Sequence, residues 1–150
     1  MANTFTSLHY HIILSTKRLE PWIAREQEER LWAYLGGIAR QNQLKPLLVG
    51  GMEDHIHILL GSPPTVTVSE ALKRIKGGSS GWVKENISGC LGFGWQDGYA
   101  AFAVSKSQLG DVEEYIRKQR EHHRSKTFQE EYRAFLDRHE IVYDERYLWD

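Results

Sequence analysis

His55 and His57 stand two residues apart in the run Asp54-His55-Ile56-His57-Ile58-Leu59. In an extended strand such residues project from one face, so the two imidazoles point together while Ile56 points the other way. Two adjacent imidazole nitrogens suit a single divalent cation. A pair of polar residues on a solvated face would have the same spacing. Leu59, however, continues the histidine face with an apolar residue, so the pair is expected to be partly covered, where imidazoles need partners. A second segment, Val112 to Gln119, places Tyr115 and Gln119 four residues apart. On a helix they share a face, with Cβ atoms about 5–6 Å apart, which offers a nucleophile and an oxygen donor together. The plain alternative is Tyr115 as ordinary core and Gln119 as an exposed polar residue.

Other residues invite similar readings. His9 and His11 form a second His-x-His pair, which we read as structural or as strand-face polar residues. His122 and His123 lie three and four positions beyond Gln119 and reach the same face, so either competes with Gln119 as a third ligand. Lys73, Arg74 and Lys76 lead into Gly77-Gly78-Ser79-Ser80 and Trp82. Basic and hydroxyl side chains hold phosphates, glycines permit close backbone approach, and an indole stacks on a splayed base. A solvated helix face with Trp82 in the core is the competing reading. Cys90 is the single cysteine, so no intrachain disulfide or thiolate cluster exists, and it reads as a small packing residue.

The elements that must position these groups follow from periodicity. Ser7 to Thr16 reads as a strand. Arg25 to Gln43 reads as a helix through Leu31, Tyr34, Leu35 and Ile38. Leu47 to Met52 and His55 to Gly61 form a hairpin around Glu53-Asp54. Val68 to Asn86 is a helix kinked at Gly77-Gly78, and Tyr99 to Ser105 is a fourth strand. A helix follows from about Gln108 to Arg124, then another from Phe128 to His139 and an irregular or short extended end. The order predicts one α+β domain over residues 1–150, with a ferredoxin-like single antiparallel sheet and helices packed against it.

The net charge of -1 argues for no general affinity for nucleic acid, but charge is unevenly placed: Lys73 to Lys126 holds ten Lys/Arg against six Asp/Glu. The first residues lack a charged, apolar leader pattern, and no run of about 18 apolar residues occurs, so a cytoplasmic protein without a membrane span is expected.

The complete pattern resembles the single-tyrosine HUH transposases, small enzymes of insertion sequences that move as single strands, and their relatives associated with repeated extragenic palindromes. The resemblance rests on the first strand with Lys17-Arg18 after it, Asp54 to Leu60, Leu72 to Trp82, Gly98 to Ser105, and Glu114 to His123. It implies an enzyme in which Mg²⁺ or Mn²⁺, held by His55, His57 and the Gln119 amide oxygen, makes a scissile phosphate electrophilic enough for a phenol to attack. Tyr115 would then form a 5′-phosphotyrosine on single-stranded, hairpin-containing DNA and leave a free 3′-hydroxyl. No nucleotide cofactor is needed, since the phosphodiester energy is kept in the covalent link, and no P-loop is present. The resemblance also implies a homodimer in which the tyrosine helix of one chain can serve the histidines of the other across a Lys106 to Gly110 connector. Two rivals remain: a domesticated palindrome-associated nickase with the same chemistry, and a non-catalytic ferredoxin-like nucleic-acid-binding module.

Overall fold

The computed structural model describes residues 3–149. Four strands, β1 (His9–Ser15), β2 (Lys45–Gly51), β3 (His55–Gly61) and β4 (Ala100–Ala103), form one sheet in the order β2-β3-β1-β4, with every pairing antiparallel. With helices α1 (Glu28–Gln41) and α2 (Val68–Asn86) interleaved, this is the expected ferredoxin-like α+β arrangement. β3 and β1 are its central strands, and all seven residues of β3 are buried. Both faces of β3 are covered, which is why His55–Gly61 reads as a nearly continuous apolar run.

The two faces are divided by strand alternation. Ile12, Leu14, Ile56, Ile58 and Leu60 face α1 and α2 and pack on Leu31, Leu35, Ile38, Leu72 and Ile75. Ile13 and Leu59 belong to the opposite face, together with His11, His55 and His57. That face is covered by α3 (Leu109–Arg117), α4 (Gln119–His122) and α5 (Phe128–Arg138). Leu109 and Ile116 of α3 pack on Leu59, while Phe128, Tyr132 and Leu136 of α5 pack on Ile13, Ala100 and Phe102. A Thr127–Glu130 capping box starts α5.

Two expectations about helices need correction. α2 is not kinked at Gly77-Gly78 but runs unbroken from Val68 to Asn86. Gly78 serves close packing instead, because a Cβ there would lie 3.1 Å from Ile38 Cδ1. The single helix expected from Gln108 to Arg124 divides at Lys118 (φ -95, ψ 22) into α3 and α4. The Lys118 N–H is shared between the carbonyls of Glu114 and Tyr115 at 3.2 and 3.3 Å, a tightened last turn that re-aims Gln119. Among the described residues no helix is long and apolar enough to cross a membrane.

The hairpin carrying the histidines is also where α3 is seated. At Gly51 (φ +155) a Cβ would meet the His55 carbonyl oxygen at 2.2 Å, and at Gly50 it would meet Ile116 Cγ2 at 2.8 Å. Gly50 therefore lets α3, with Tyr115 beside Ile116, lie directly on β2. Gly50→Ala is expected to cost about 1–3 kcal/mol by overpacking. Gly77→Ala, in a helix interior with nothing within 4 Å, is expected to gain about 0.5–1 kcal/mol. Urea unfolding of both variants checks this, and unchanged stability in Gly50→Ala would mean that α3 is not held tightly there.

Candidate functional site

β3 presents His55 and His57 to α3–α5, and both residues are fully buried. His57 Nδ1 lies 2.8 Å from His11 Nε2, and its Nε2 lies 3.1 Å from Glu131 Oε1. The sheet register explains the first contact: His57 pairs with Ile13, so His11 is its diagonal neighbour on the same face. His11 thus positions His57, and its own ring is held against Phe135.

His55 Nδ1 lies 2.8 Å from Asp54 Oδ1 and its Nε2 lies 2.7 Å from Gln119 Oε1. Gln119 in turn donates from Nε2 to Glu131 Oε2 at 3.0 Å. The Tyr115 hydroxyl donates to that same carboxylate oxygen. His123 closes the ring, with Nε2 at 3.1 Å from Gln119 Oε1 and 3.3 Å from Glu131 Oε1, and Nδ1 at 2.8 Å from the Lys126 carbonyl. His122 stacks on Tyr115 with ring centroids 4.6 Å apart.

The structure therefore brings His55, His57, Tyr115 and Gln119 into one cluster within the single chain described. The residue at its centre, Glu131, was not singled out in the sequence. A signal was nevertheless present: Phe128, Tyr132, Phe135 and Leu136 make an apolar helical stripe, and Glu131 is an acid set inside it.

The charges in the cluster are strongly coupled. Burial tends to raise the pKa of Glu131, but hydrogen bonds from His123 and His57 overcome it and hold the carboxyl well below the usual range. Burial, then the adjacent Glu131 charge, pushes the Tyr115 phenol above its ordinary value. Burial lowers His57. Burial, with the neighbouring His57, lowers His11 to about 3. As it stands, Tyr115 is a weaker nucleophile than a free phenol, and only added positive charge would reverse that.

The donor set suits a hard cation. If His55 donates its Nδ1–H to Asp54, its Nε2 lone pair faces Gln119 Oε1, itself oriented by the bond to Glu131. In that tautomer two acceptors lie 2.7 Å apart with no proton between them, an arrangement a cation would satisfy. One ligand atom each from His55, His57 and Glu131 lie within 4.8 Å of one another. Metal–ligand bonds of about 2.0–2.2 Å put adjacent ligands about 3 Å apart, close to the 2.7 Å from His55 Nε2 to Gln119 Oε1 and the 3.1 and 3.4 Å from Glu131 Oε1 to His57 Nε2 and His55 Nε2. Beside the cluster a pocket of about 310 Å³ is lined by Tyr115, Glu121, His122, His123, Ser125, Lys126 and Glu131.

The α2 residues considered for phosphate binding are not brought to this cluster, since α2 covers the opposite face of the sheet. Ser79 is buried, donating to the Ile75 carbonyl and accepting from the Trp95 indole, so its hydroxyl is not available to a phosphate. Arg74 is engaged by Glu70 and Asn42, and Lys76 by the Asp97 and Gly98 carbonyls. Trp82 stacks on Tyr34 at 4.6 Å, against the core. Lys73 is exposed and Ser80 half-buried.

Residues 4–119 match the family described as IS200-like transposases. The chain belongs to the IS200-like transposase family. The transposase for insertion sequence element IS200 of Salmonella typhimurium is 28% identical over 127 residues, covering 81% of this chain and 82% of the relative. The Salmonella typhi transposase matches to the same extent. A crystal structure of a Deinococcus radiodurans R1 protein assigned as a transposase superposes with TM-score 0.64 at 27% identity, over 79% of this chain and 95% of that one. The fold is also shared with a REP-associated tyrosine transposase solved with a REP hairpin, at TM-score 0.59 and 12% identity over 82% of this chain and 73% of that one. In this family member Tyr115 and Gln119 fall inside the matched segment, whereas His123 and Glu131 lie beyond it.

The buried histidines of this transposase make its stability depend on pH. His11 titrates near 6.5 when unfolded and near 3 when folded, so the unfolded state binds more protons between those values. The His11 contribution is full well above pH 6.5 and falls with acidification toward pH 3. Between pH 6.5 and 5 the loss from His11 alone is about 1.6 kcal/mol. His57, which burial lowers, adds to it, and His123, where burial is outweighed by Glu131 and the pKa is raised, offsets part of it. Urea unfolding at both pH values should show that loss, reduced in a His11→Gln variant. Equal losses in the two proteins would contradict it.

Proposed function

We propose that this transposase cleaves and rejoins single-stranded DNA through Tyr115, using a divalent cation, Mg²⁺ or Mn²⁺, held by His55 and His57 with the Gln119 amide oxygen. The observation that carries this reading is the convergence of Tyr115 and the His55/His57 pair on one buried carboxylate. A phenol, two imidazoles and a pocket able to admit a phosphate lie together, and nothing in ordinary core packing requires that set. The cation would polarise the scissile phosphate and offset the negative charge that Glu131 places beside the phenol.

The chain's own residues supply the rest. Asp54 and His11 fix the ring orientations of His55 and His57. Stacking on His122 holds the Tyr115 ring, which lines the pocket together with Ser125 and Lys126, where a phosphate would sit. The Tyr115 hydroxyl releases its proton to solvent as its oxygen bonds to phosphorus, the bond from phosphorus to the 3′-oxygen breaks, and the 3′-oxygen takes up a proton from solvent and leaves as a hydroxyl. The reverse step, with another 3′-hydroxyl, rejoins the strand. A hairpin substrate is supported by the REP hairpin held by the structural relative.

The test incubates the protein with Mn²⁺ and a 5′-labelled or 3′-labelled hairpin oligonucleotide, then separates products on a denaturing gel. Wild type is expected to retain the label of the segment downstream of the cut as a covalent protein adduct. Tyr115→Phe should fold and bind DNA but form no adduct, and His55→Ala with His57→Ala should abolish cleavage. A full duplex of the same sequence should be cut far less. Adduct in Tyr115→Phe would remove Tyr115 as nucleophile. Binding without any cleavage by wild type would favour a non-catalytic nucleic-acid-binding protein.

A further inference from the structure

Glu131 is 4% exposed, and its carboxylate has no lysine or arginine partner among the described residues. Its neighbours are three imidazoles, an amide and a phenol. A buried carboxylate with no lysine or arginine beside it is costly unless hydrogen bonds or a cation compensate it. The helix that carries it is not loosely placed. Phe128, Tyr132 and Leu136 fix its rotation against Ile13 and Phe102, and the Thr127–Glu130 capping box fixes its start. Glu131 is thus aimed inward from a position where the apolar stripe calls for a hydrophobic residue.

We propose that Glu131 is a direct ligand of the divalent cation, so that the carboxy-terminal helix α5 completes the metal site and metal binding is coupled to the docking of that helix. This rests on the reading of His55 and His57 as metal ligands and adds to it a residue outside the family-matched segment. Glu131 Oε1 stands 3.1 Å from His57 Nε2 and 3.4 Å from His55 Nε2, facing both. A carboxylate oxygen is also a better match to Mg²⁺ or Mn²⁺ than a set of imidazoles and one neutral amide. The other oxygen, Oε2, remains bonded to Tyr115 and Gln119, so the same side chain ties the nucleophile to the metal site.

The experiment is Mn²⁺ titration of the full chain by calorimetry, without DNA, on wild type, Glu131→Gln, and the His55→Ala, His57→Ala double variant. Circular dichroism of each protein without metal reports the fold. Glu131→Gln is expected to keep the fold and bind Mn²⁺ at least tenfold more weakly, and the double variant to lose binding. Mn²⁺ affinity in Glu131→Gln equal to or tighter than wild type overturns the ligand role and leaves the histidine reading intact. If wild type binds no Mn²⁺, both fail. Hydrogen exchange on wild type does not depend on any variant folding. Mn²⁺ should slow exchange in peptides of 128–138 as well as 55–61, and slowing confined to 55–61 overturns the coupling.

Discussion

The arrangement depends on one constraint: a carboxylate, Glu131, buried among His55, His57, His123, Gln119 and Tyr115. A lone buried charge of this kind drives its surroundings to organise around it. The histidine hairpin, the tyrosine helix and the tail helix come from three separated stretches of chain. Each presents its polar group to the same small volume, which apolar packing closes on the sheet side and a pocket opens beside Tyr115 and Glu131. Leu59 and Ile116 seal one side, and Ile13, Phe102 and Phe128 another.

The ferredoxin-like sheet makes this economical. Strand alternation gives one face of β1 and β3 wholly to the packing of α1 and α2, which supplies the main core. The second face is then available for polar groups beneath a cover. In this transposase the cover is α3 to α5, and it carries Tyr115, Gln119 and Glu131 itself. The same elements that exclude solvent from His55 and His57 also deliver Tyr115 and Gln119, so stability and site geometry are linked.

Much of this was legible in the sequence. The His55–Gly61 strand, the Val68–Asn86 helix and the antiparallel α+β class follow from alternation, helical spacing and the hairpin turn. The family resemblance rested on His55, His57, Tyr115 and Gln119, and the chain belongs to that family. What periodicity could not supply were events set by tertiary contact. The break at Lys118 has no glycine or proline to announce it. Gly77-Gly78 suggests a kink, yet Gly78 marks close helix packing. Ser79 looked suited to phosphate because a hydroxyl's chemistry is the same in a core as on a surface, and here it is buried. Glu131 was hidden because an acid within an apolar stripe has meaning only once its opposite face is known.

The central claim is that one chain assembles, around His55, His57 and Glu131, a cation site beside its own Tyr115. Anomalous diffraction from crystals grown with Mn²⁺ tests it most directly. The account predicts a single strong peak within bonding distance of His55 Nε2, His57 Nε2 and Glu131 Oε1, with Tyr115 of the same chain alongside. Manganese bound at another place, or a peak at the histidines with Glu131 turned away and a partner's tyrosine beside it, would contradict it.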